Sequence, residues 1–449
     1  MIQKKRSPLI GWRKENKHPT LSEVFSSIYV PQKKGMWKKF FAFTGPGFLI
    51  AVGYMDPGNW ATDISGGSKF GYMLLSVIFI SNLFAIILQH LALKLGIVCE
   101  RDLAQACRDN YPPFISFILW ILCEIAIAAC DLAEIIGCSL ALKLLCNIPI
   151  TWGVLITTID VLIILFFQSK GFRYIESLVA TLIFTILICF SFEIISSKPE
   201  IIPILKGIIP NPRIIQDPHA FYISIGILGA TVMPHNLYLH SSIIQTRDYP
   251  RTIEGKKMAI KYATIDSTLS LSLAFFINAA ILIVSAATFH KYGHTEVADI
   301  MDAHKLLTPI LGSSFAGVFF ALALLASGQN STLTGTLAGQ IVMEGFLNIR
   351  LKPWIRRLIT RLIAIVPAMI TAILYGEKGT AELLIISQII LSIQLIFAII
   401  PLVNFTGDSE KMGIFVNGQI LKILSWVITS LIILLNSFLL YNTFYLGWS

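Results

Sequence analysis

Asp56-Pro57-Gly58-Asn59 interrupts an otherwise apolar stretch covering residues 41–64. An ionisable residue at mid-membrane costs roughly 2.5 to 3.5 kcal/mol on insertion scales, so its default reading is a functional site rather than a packing choice. Pro57 and Gly58 supply the means. An interrupted spanning helix frees backbone carbonyls and amides, which lipid tolerates only where they line a cavity or face protein. The stretch reads as a cation site built on an unwound helix.

Composition places that stretch in a membrane. Of 449 residues, 55% are hydrophobic and 14% charged, against about 25% charged in soluble domains. The fold class expected is an all-α polytopic membrane protein. Apolar runs of spanning length, roughly 17 to 25 residues, begin near Phe41, Tyr72, Phe114, Trp152, Ile175, Phe221, Thr264, Ser314, Leu358, Leu383 and Ile420. This gives about eleven transmembrane helices in one integral domain, residues 41–449, after a basic cytoplasmic segment, residues 1–40.

Lys and Arg in short loops stay cytoplasmic, so the basic residues set the orientation. Before the first span stand Lys4, Lys5, Arg6, Arg13, Lys14, Lys17, Lys33, Lys34, Lys38 and Lys39. Alternate loops agree, with Arg101 and Arg108, then Lys170 and Arg173, then Arg247, Arg251, Lys256, Lys257 and Lys261, then Arg350, Lys352, Arg356 and Arg357. The loops between them are poorer, holding Lys69, then Lys198, Lys206 and Arg213, then Lys291 and Lys305, then Lys378. The reading is a multi-pass protein of the cell (inner) membrane, N-terminus cytoplasmic and C-terminus outside. The first 40 residues lack a short apolar core followed by a small-residue cleavage site, so the first span is expected to direct insertion. The net charge of +9 is then a topology signal. No nucleic acid is expected as a partner, because a basic patch for it needs a soluble domain. The basic arm is suited to touch anionic lipid headgroups.

A second break follows. Ala230-Thr231-Val232-Met233-Pro234-His235-Asn236 interrupts the sixth apolar run. Interrupted spans at positions one and six are the trace expected of an inverted five-plus-five repeat, with its site between the discontinuous helices. Asp56 and Asn59, three apart, share a helix face, and unwound backbone around Gly53 and Ala230 adds carbonyl oxygens. Met233 offers a thioether, which Mg²⁺ or Ca²⁺ sites do not use and transition ions accept; gap-filling packing is its alternative. His235 has three readings: hydrogen-bonded core residue, metal ligand, or proton carrier. His235 and His240 sit about 140° apart on a helix, and no HExxH run points to hydrolysis.

Glu124, Asp131 and Glu134 put three acids into the third span. At about 100° and 1.5 Å per residue they form one stripe roughly 15 Å long. Acids so placed mark a proton or ion route and need partners. Arg361, about one turn into the ninth span, is the expected partner, with a static buried salt-bridge network as the other reading. Asn278, Gln388 and Gln394 each offer an amide to an ion or to a helix–helix hydrogen bond. His290, His294, Glu296, Asp299, Asp302 and His304 read as a solvated loop. Seven cysteines argue against a disulfide framework, and Cys123, Cys130, Cys138 and Cys146 recur as a packing stripe.

Together these residues resemble the Nramp family, the natural-resistance-associated macrophage proteins and their bacterial manganese-transporting relatives. The likeness spans about residues 45–403. It rests on Gly45-Pro46-Gly47-Phe48, Met55-Asp56-Pro57-Gly58-Asn59, Asp131-Leu132-Ala133-Glu134, residues 230–240 (ATVMPHNLYLH) and residues 327–346 (SGQNSTLTGTLAGQIVMEGF). The resemblance implies a LeuT-like fold and proton-coupled symport of Mn²⁺ or Fe²⁺ by alternating access. It implies metal binding by Asp56, Asn59, Met233 and the Ala230 carbonyl, with Gln388 completing an occluded site. It assigns protons to Asp56, His235, Asp131, Glu134 and an arginine of the ninth span, matched here by Arg361 with Arg356 and Arg357 nearby, and the conformational change to Asn278. Gly53, Ile396 and Asn330 depart from the family's usual alanine, proline and serine. No cofactor is expected, since the metal is cargo, and a monomer is expected. The rival readings are a Mg²⁺ transporter of related type, a metal channel or receptor on the same site, and a membrane metallo-hydrolase, which would need a fixed metal cage.

Overall fold

Two prolines decide where the spanning helices break. The computed structural model describes residues 12–13, 28–31, 35–157, 172–297, 299–312, 314–349, 353–374 and 376–446. In chain order the main helices are α1 (Pro46–Gly53), α2 (Pro57–Phe70), α3 (Leu75–Cys99), α4 (Pro113–Cys146), α5 (Phe172–Ser197) and α6 (Pro218–Thr231). They are followed by α7 (Pro234–Ile243), α8 (Ile253–Thr288), α9 (Ser314–Leu347), α10 (Pro353–Leu374), α11 (Gly376–Thr406) and α12 (Gln419–Leu446).

The Gly53 carbonyl would bond the N–H of residue 57 in a continuous helix, and the Ala230 carbonyl that of residue 234. Both acceptors face a proline, which has no N–H, so the helix stops and the carbonyl is released. Each proline then opens the next half-helix at its first position, where the missing donor costs nothing. The first break therefore lies at residues 54–56, slightly earlier than the Asp56-Pro57-Gly58-Asn59 reading placed it. Asp56 is the cap of α2.

Eight segments among the described residues are long and apolar enough to cross a membrane. The split first span is not among them, and the ninth carries a shorter apolar helix, Leu358–Ile370. The expected fourth span starts as the helix Ile150–Ile156, and its continuation lies outside the described residues. So do Lys4, Lys5, Arg6, Lys14, Lys17, Lys33, Lys34, Lys170, Arg350 and Lys352, together with the side chains of Arg356, Arg357 and Lys378. Apolar side chains such as Leu83, Ile125, Ile188, Leu269, Phe276 and Leu434 are exposed on the flanks, a lipid-facing pattern for a polytopic fold.

Contacts define two opposite ends of the bundle. At one, the Asp266 carboxylate accepts the N–H groups of Gly45 (3.4 Å) and Gly47 (2.7 Å). Buried Arg247 donates there to Glu176 (2.7 Å) and to the Thr44 carbonyl (3.1 Å). Gly45 has φ +137°, and a Cβ there would lie 2.3 Å from Glu176 Cδ, so no other residue fits. Strand β1 (Ile28–Tyr29) pairs in parallel with β2 (Arg247–Asp248) at this end, and Lys256 meets Glu100 at 3.3 Å. This end carries the basic loops. At the other, Ser68 bonds the Val297 carbonyl (2.7 Å), His290 the Ser68 carbonyl (2.9 Å), and Lys291 Glu200 (3.2 Å). The span α1–α2 thus runs from the basic end outward, and α6–α7 runs back toward it.

The seven cysteines are free, and Cys123, Cys130 and Cys138 are buried as the packing stripe requires. Cys146 departs from that stripe: it is exposed, because α4 ends there with Asn147 left-handed at φ 55°.

Candidate metal-binding site

Asp56 and Asn59 meet because one caps the turn that begins the other's helix. Asp56 Oδ1 accepts the Asn59 N–H at 2.8 Å, which aligns cap and third helical residue on one side. Its second oxygen, Oδ2, is buried without a hydrogen-bond partner, as is the Asn59 amide nitrogen. Gly58 lies directly against Gln388 of α11: a Cβ at 58 would stand 1.7 Å from Gln388 Nε2. That Nε2 donates to Ser387 Oγ at 2.9 Å, leaving Gln388 Oε1 buried and unpartnered. Gly229, next to Ala230, packs on the Gln388 backbone, where a Cβ would meet the carbonyl at 2.1 Å. The end of α6 and the start of α2 therefore share one neighbour. Met233 caps α7 and packs with Ala126, Cys130 and Leu391.

Each unpaired buried polar group costs about 1 to 3 kcal/mol, and several sit together here. Asp56 Oδ2 and Gln388 Oε1 are both oxygen donors of the kind that divalent cations take. Among the described residues no three His, Cys, Asp or Glu side chains gather as a metal cage. The donors at the breaks are instead one carboxylate, amides, released carbonyls and a thioether. Such a mixed, singly charged set suits an ion that must leave again.

Side chains from other spans hold the unwound strand open. Asn278 of α8 donates to the Tyr54 carbonyl at 2.7 Å, and Ser327 of α9 donates to the Met55 carbonyl. Asn236 of α7 faces Gly53, where a Cβ would lie 2.2 Å from its Nδ2. The site is shut on both sides: Asp56, Asn59, Met233 and Gln388 are at most 1% exposed. Toward the basic end, Tyr54 OH accepts from Gln89 (2.8 Å), whose oxygen meets His240 Nδ1 (2.9 Å). Toward the other end, the Trp60 ring meets Phe190 (4.9 Å) and Phe320 (5.1 Å) edge-on.

The acids of α4 separate into two groups. Asp131 and Glu134 are fully buried, and Arg361 is buried beside them, with Nη1 3.8 Å from Glu134 Oε2 and Nη2 3.3 Å from Thr332 Oγ1. Ser331 donates to Glu134 Oε1 at 3.0 Å, and Gly335 leaves room for both carboxylates. Glu124 stands apart, half-buried and accepting the Trp120 indole N–H at 3.1 Å. Asp56 is within electrostatic reach of Glu134, and buried His235 of Asp131, so the two helix breaks adjoin the acids of α4. His290 and Asp299 of the polar loop serve as local hydrogen-bond partners, Asp299 capping the helix Ile300–Leu311.

The chain is similar to known proteins over most of its length. The family model described as natural resistance-associated macrophage protein-like matches residues 47–442. The chain belongs to the Nramp family. The match runs past the 45–403 likeness into α12. Among Nramp relatives, a divalent metal cation transporter MntH of Nostoc sp. is 61% identical over 430 residues, covering 96% of this chain and 97% of that protein. A protein of the same name from Listeria welshimeri is 61% identical over 433 residues, covering 96% of this chain and 97% of that protein. A mutant of the Eremococcus coleocola manganese transporter superposes with TM-score 0.88 at 42% identity, covering 95% of this chain and 92% of that one. At the level of fold alone, a nucleobase-cation-symport-1 family transporter in a closed conformation gives TM-score 0.61 at 13% identity, covering 94% and 93%. The five-plus-five fold with discontinuous first and sixth spans is therefore the Nramp fold in this chain.

Sequence reading left out Tyr54 and Gln89, and quoted Asn236, Ser327 and Ser331 within motifs without giving them a role. Only the i to i+4 relation of Gly53 to Pro57 and of Ala230 to Pro234 announces in sequence which carbonyls are released; their partners come from distant spans. Gly58→Ala is expected to keep the fold, because the obstructing atom ends a flexible side chain, yet to push Gln388 out of the site. Metal uptake should fall about tenfold, the scale for displaced supporting groups, with thermal unfolding in detergent little changed; unchanged uptake removes Gln388 from the site.

Proposed function

We propose that this chain is a proton-coupled importer of divalent transition metals, Mn²⁺ or Fe²⁺, working as a monomer by alternating access in the cell membrane. The N-terminus and basic end face the cytoplasm and the C-terminus faces outside. The observation that supports the reading is the pair of proline-broken helices: Asp56 Oδ2 and Gln388 Oε1 are buried and unpartnered, Gly58 and Gly229 of the two breaks both lie against Gln388, and Met233 is buried at the second break. Names of relatives, a divalent metal cation transporter and a manganese transporter, agree with it.

In this mechanism Asp56, Asn59, Met233 and the carbonyls of Gly53 and Ala230 hold the ion, and Gln388 closes over it. Asp56 is neutralised by the divalent ion inbound and by a proton on the return. Membrane potential drives entry, a divalent ion gaining about 4.6 kcal/mol per 100 mV across the full field. The ion reaches the cytoplasm when the Tyr54, Gln89 and His240 contacts part, and Asn278, tied to the Tyr54 carbonyl, passes the rearrangement to α8. Protons travel from His235 and Asp56 through Asp131, Glu134 and Arg361, with Glu124 at the cytoplasmic end of the stripe.

The test is uptake in proteoliposomes with internal pH recorded. Saturable Mn²⁺ entry with acidification is expected, and non-saturating flux without acidification identifies a channel instead. Asp131→Asn keeps the carboxylate's shape without its charge, so metal entry should persist at about a third or more of wild type while coupled acidification falls about tenfold. Equal loss of both would place Asp131 in the metal step.

A further inference from the structure

Asn236 joins the two broken spans directly. It is the third residue of α7, and its amide occupies the space that a side chain at Gly53, the last residue of α1, would take. A Cβ at 53 would lie 2.2 Å from Asn236 Nδ2, 3.0 Å from Cγ and 3.1 Å from Oδ1. The backbone N–H of Asn236 bonds the Met233 carbonyl at 3.2 Å, so contacts run from Met233 through Asn236 to Gly53. Both α1 and α7 lie on the basic side of the breaks. His240, part of the inner closure, follows four residues later on the same face of α7. Asn236 is 0% exposed, and neither Oδ1 nor Nδ2 has a hydrogen-bond partner among the described residues. A leucine would fill the same space with no polar atom left unpaired, so packing alone does not account for the amide. Buried polar atoms of native proteins are satisfied by protein, water or ion. An amide offers a donor and an acceptor side by side, which matches a water molecule better than a bare cation, since the N–H groups repel positive charge.

We propose that Asn236 is a further positioning residue for the transported ion: its amide, seated in the notch that Gly53 leaves, holds a water that the divalent ion keeps on its cytoplasmic side. Small divalent ions give up their waters reluctantly, and a water held at this point need not be stripped on entry or regained on release. Gly53 then supplies a notch as well as a carbonyl. Because position 53 departs from the family's usual alanine, the notch is a feature of this chain. The inference rests on the import reading above and deepens it.

The experiment measures Mn²⁺ uptake against concentration in proteoliposomes holding wild type, Asn236→Leu, Gly53→Ala or the double variant, normalised to folded protein by size-exclusion profile. Asn236→Leu keeps the volume and removes both polar atoms. Its unfolding temperature in detergent should match or exceed wild type, while KM rises about threefold to tenfold, the scale of one hydrogen bond. The kcat should stay within about twofold, the signature of lost binding common to ground and transition state. Gly53→Ala keeps the carbonyl, and the atom it meets ends a flexible side chain, so the fold should hold while the amide is pushed away and KM rises by a similar factor. The double variant should be no worse than either single one, because both remove the same contact, whereas independent effects would multiply. Wild-type KM in Asn236→Leu or in Gly53→Ala, lost kcat at unchanged KM, or a double variant at the product of the singles overturns the proposal. Should Asn236→Leu fail to fold, Asn236→Ala, which removes the amide without adding bulk, is read in its place. Failure of the import reading looks different, since wild type itself then takes up no Mn²⁺.

Discussion

Asp56→Ala should abolish Mn²⁺ uptake, with a fall of at least about a hundredfold in proteoliposomes, beyond the 10- to 100-fold scale for losing a mere supporting group around a metal. Two effects add. The variant loses the one carboxylate among the donors, whose Oδ2 has no other partner, and it loses the cap that takes the Asn59 N–H at 2.8 Å. A lost cap costs about 1 kcal/mol, small enough for the bundle to fold, so the variant should purify as a monodisperse protein. Asp56→Asn keeps a capping oxygen and should be as inactive as alanine if charge is what the ion needs. Substantial Mn²⁺ flux in either variant would remove Asp56 from the centre of the site.

Met233→Ala should change selectivity more than speed. Wild type is expected to prefer Mn²⁺ over Mg²⁺ and Ca²⁺, because the thioether favours the softer ion while the oxygen donors serve all three. Without the sulfur the preference should shrink at least about tenfold, or 1.4 kcal/mol, mainly through entry of the alkaline-earth ions. The measurement is competition of Mg²⁺ and Ca²⁺ against Mn²⁺ uptake in wild type and variant. Met233 packs with Ala126, Cys130 and Leu391, so truncation also opens a cavity, typically costing 2 to 5 kcal/mol. Met233→Leu fills that space without sulfur and separates the two effects. Retained Mn²⁺ preference in the leucine variant would sink the sulfur argument, and equal Mg²⁺ entry in wild type would sink it sooner.

Much of the fold was legible because lipid leaves few options. A spanning segment must be helical and apolar, so run lengths counted the spans, and a proline beside a carboxylate inside a run could only be a break that matters. The Asp131, Glu134 and Arg361 association was legible for a related reason: buried charges need opposite partners, and Arg361 stands 3.8 Å from Glu134. Glu124, which periodicity put on the same stripe, sits less deeply than Asp131 and Glu134: it is half-buried, and its carboxylate accepts the Trp120 indole N–H on its own helix.

What the sequence by itself determined is local: where helices stop, because Pro57 and Pro234 cannot donate to Gly53 and Ala230, and which donors stand at the stops. What only the tertiary structure decided is who answers them. Asn278 on the Tyr54 carbonyl, Ser327 on the Met55 carbonyl and Gln388 against Gly58 join residues more than 200 positions apart. No local pattern encodes such partners, since any buried amide or hydroxyl satisfies the same hydrogen-bond requirement. Packing of the whole bundle selects which of them arrives, and with Gln388 it brings Gly58 of one interrupted helix and Gly229 of the other against one neighbour.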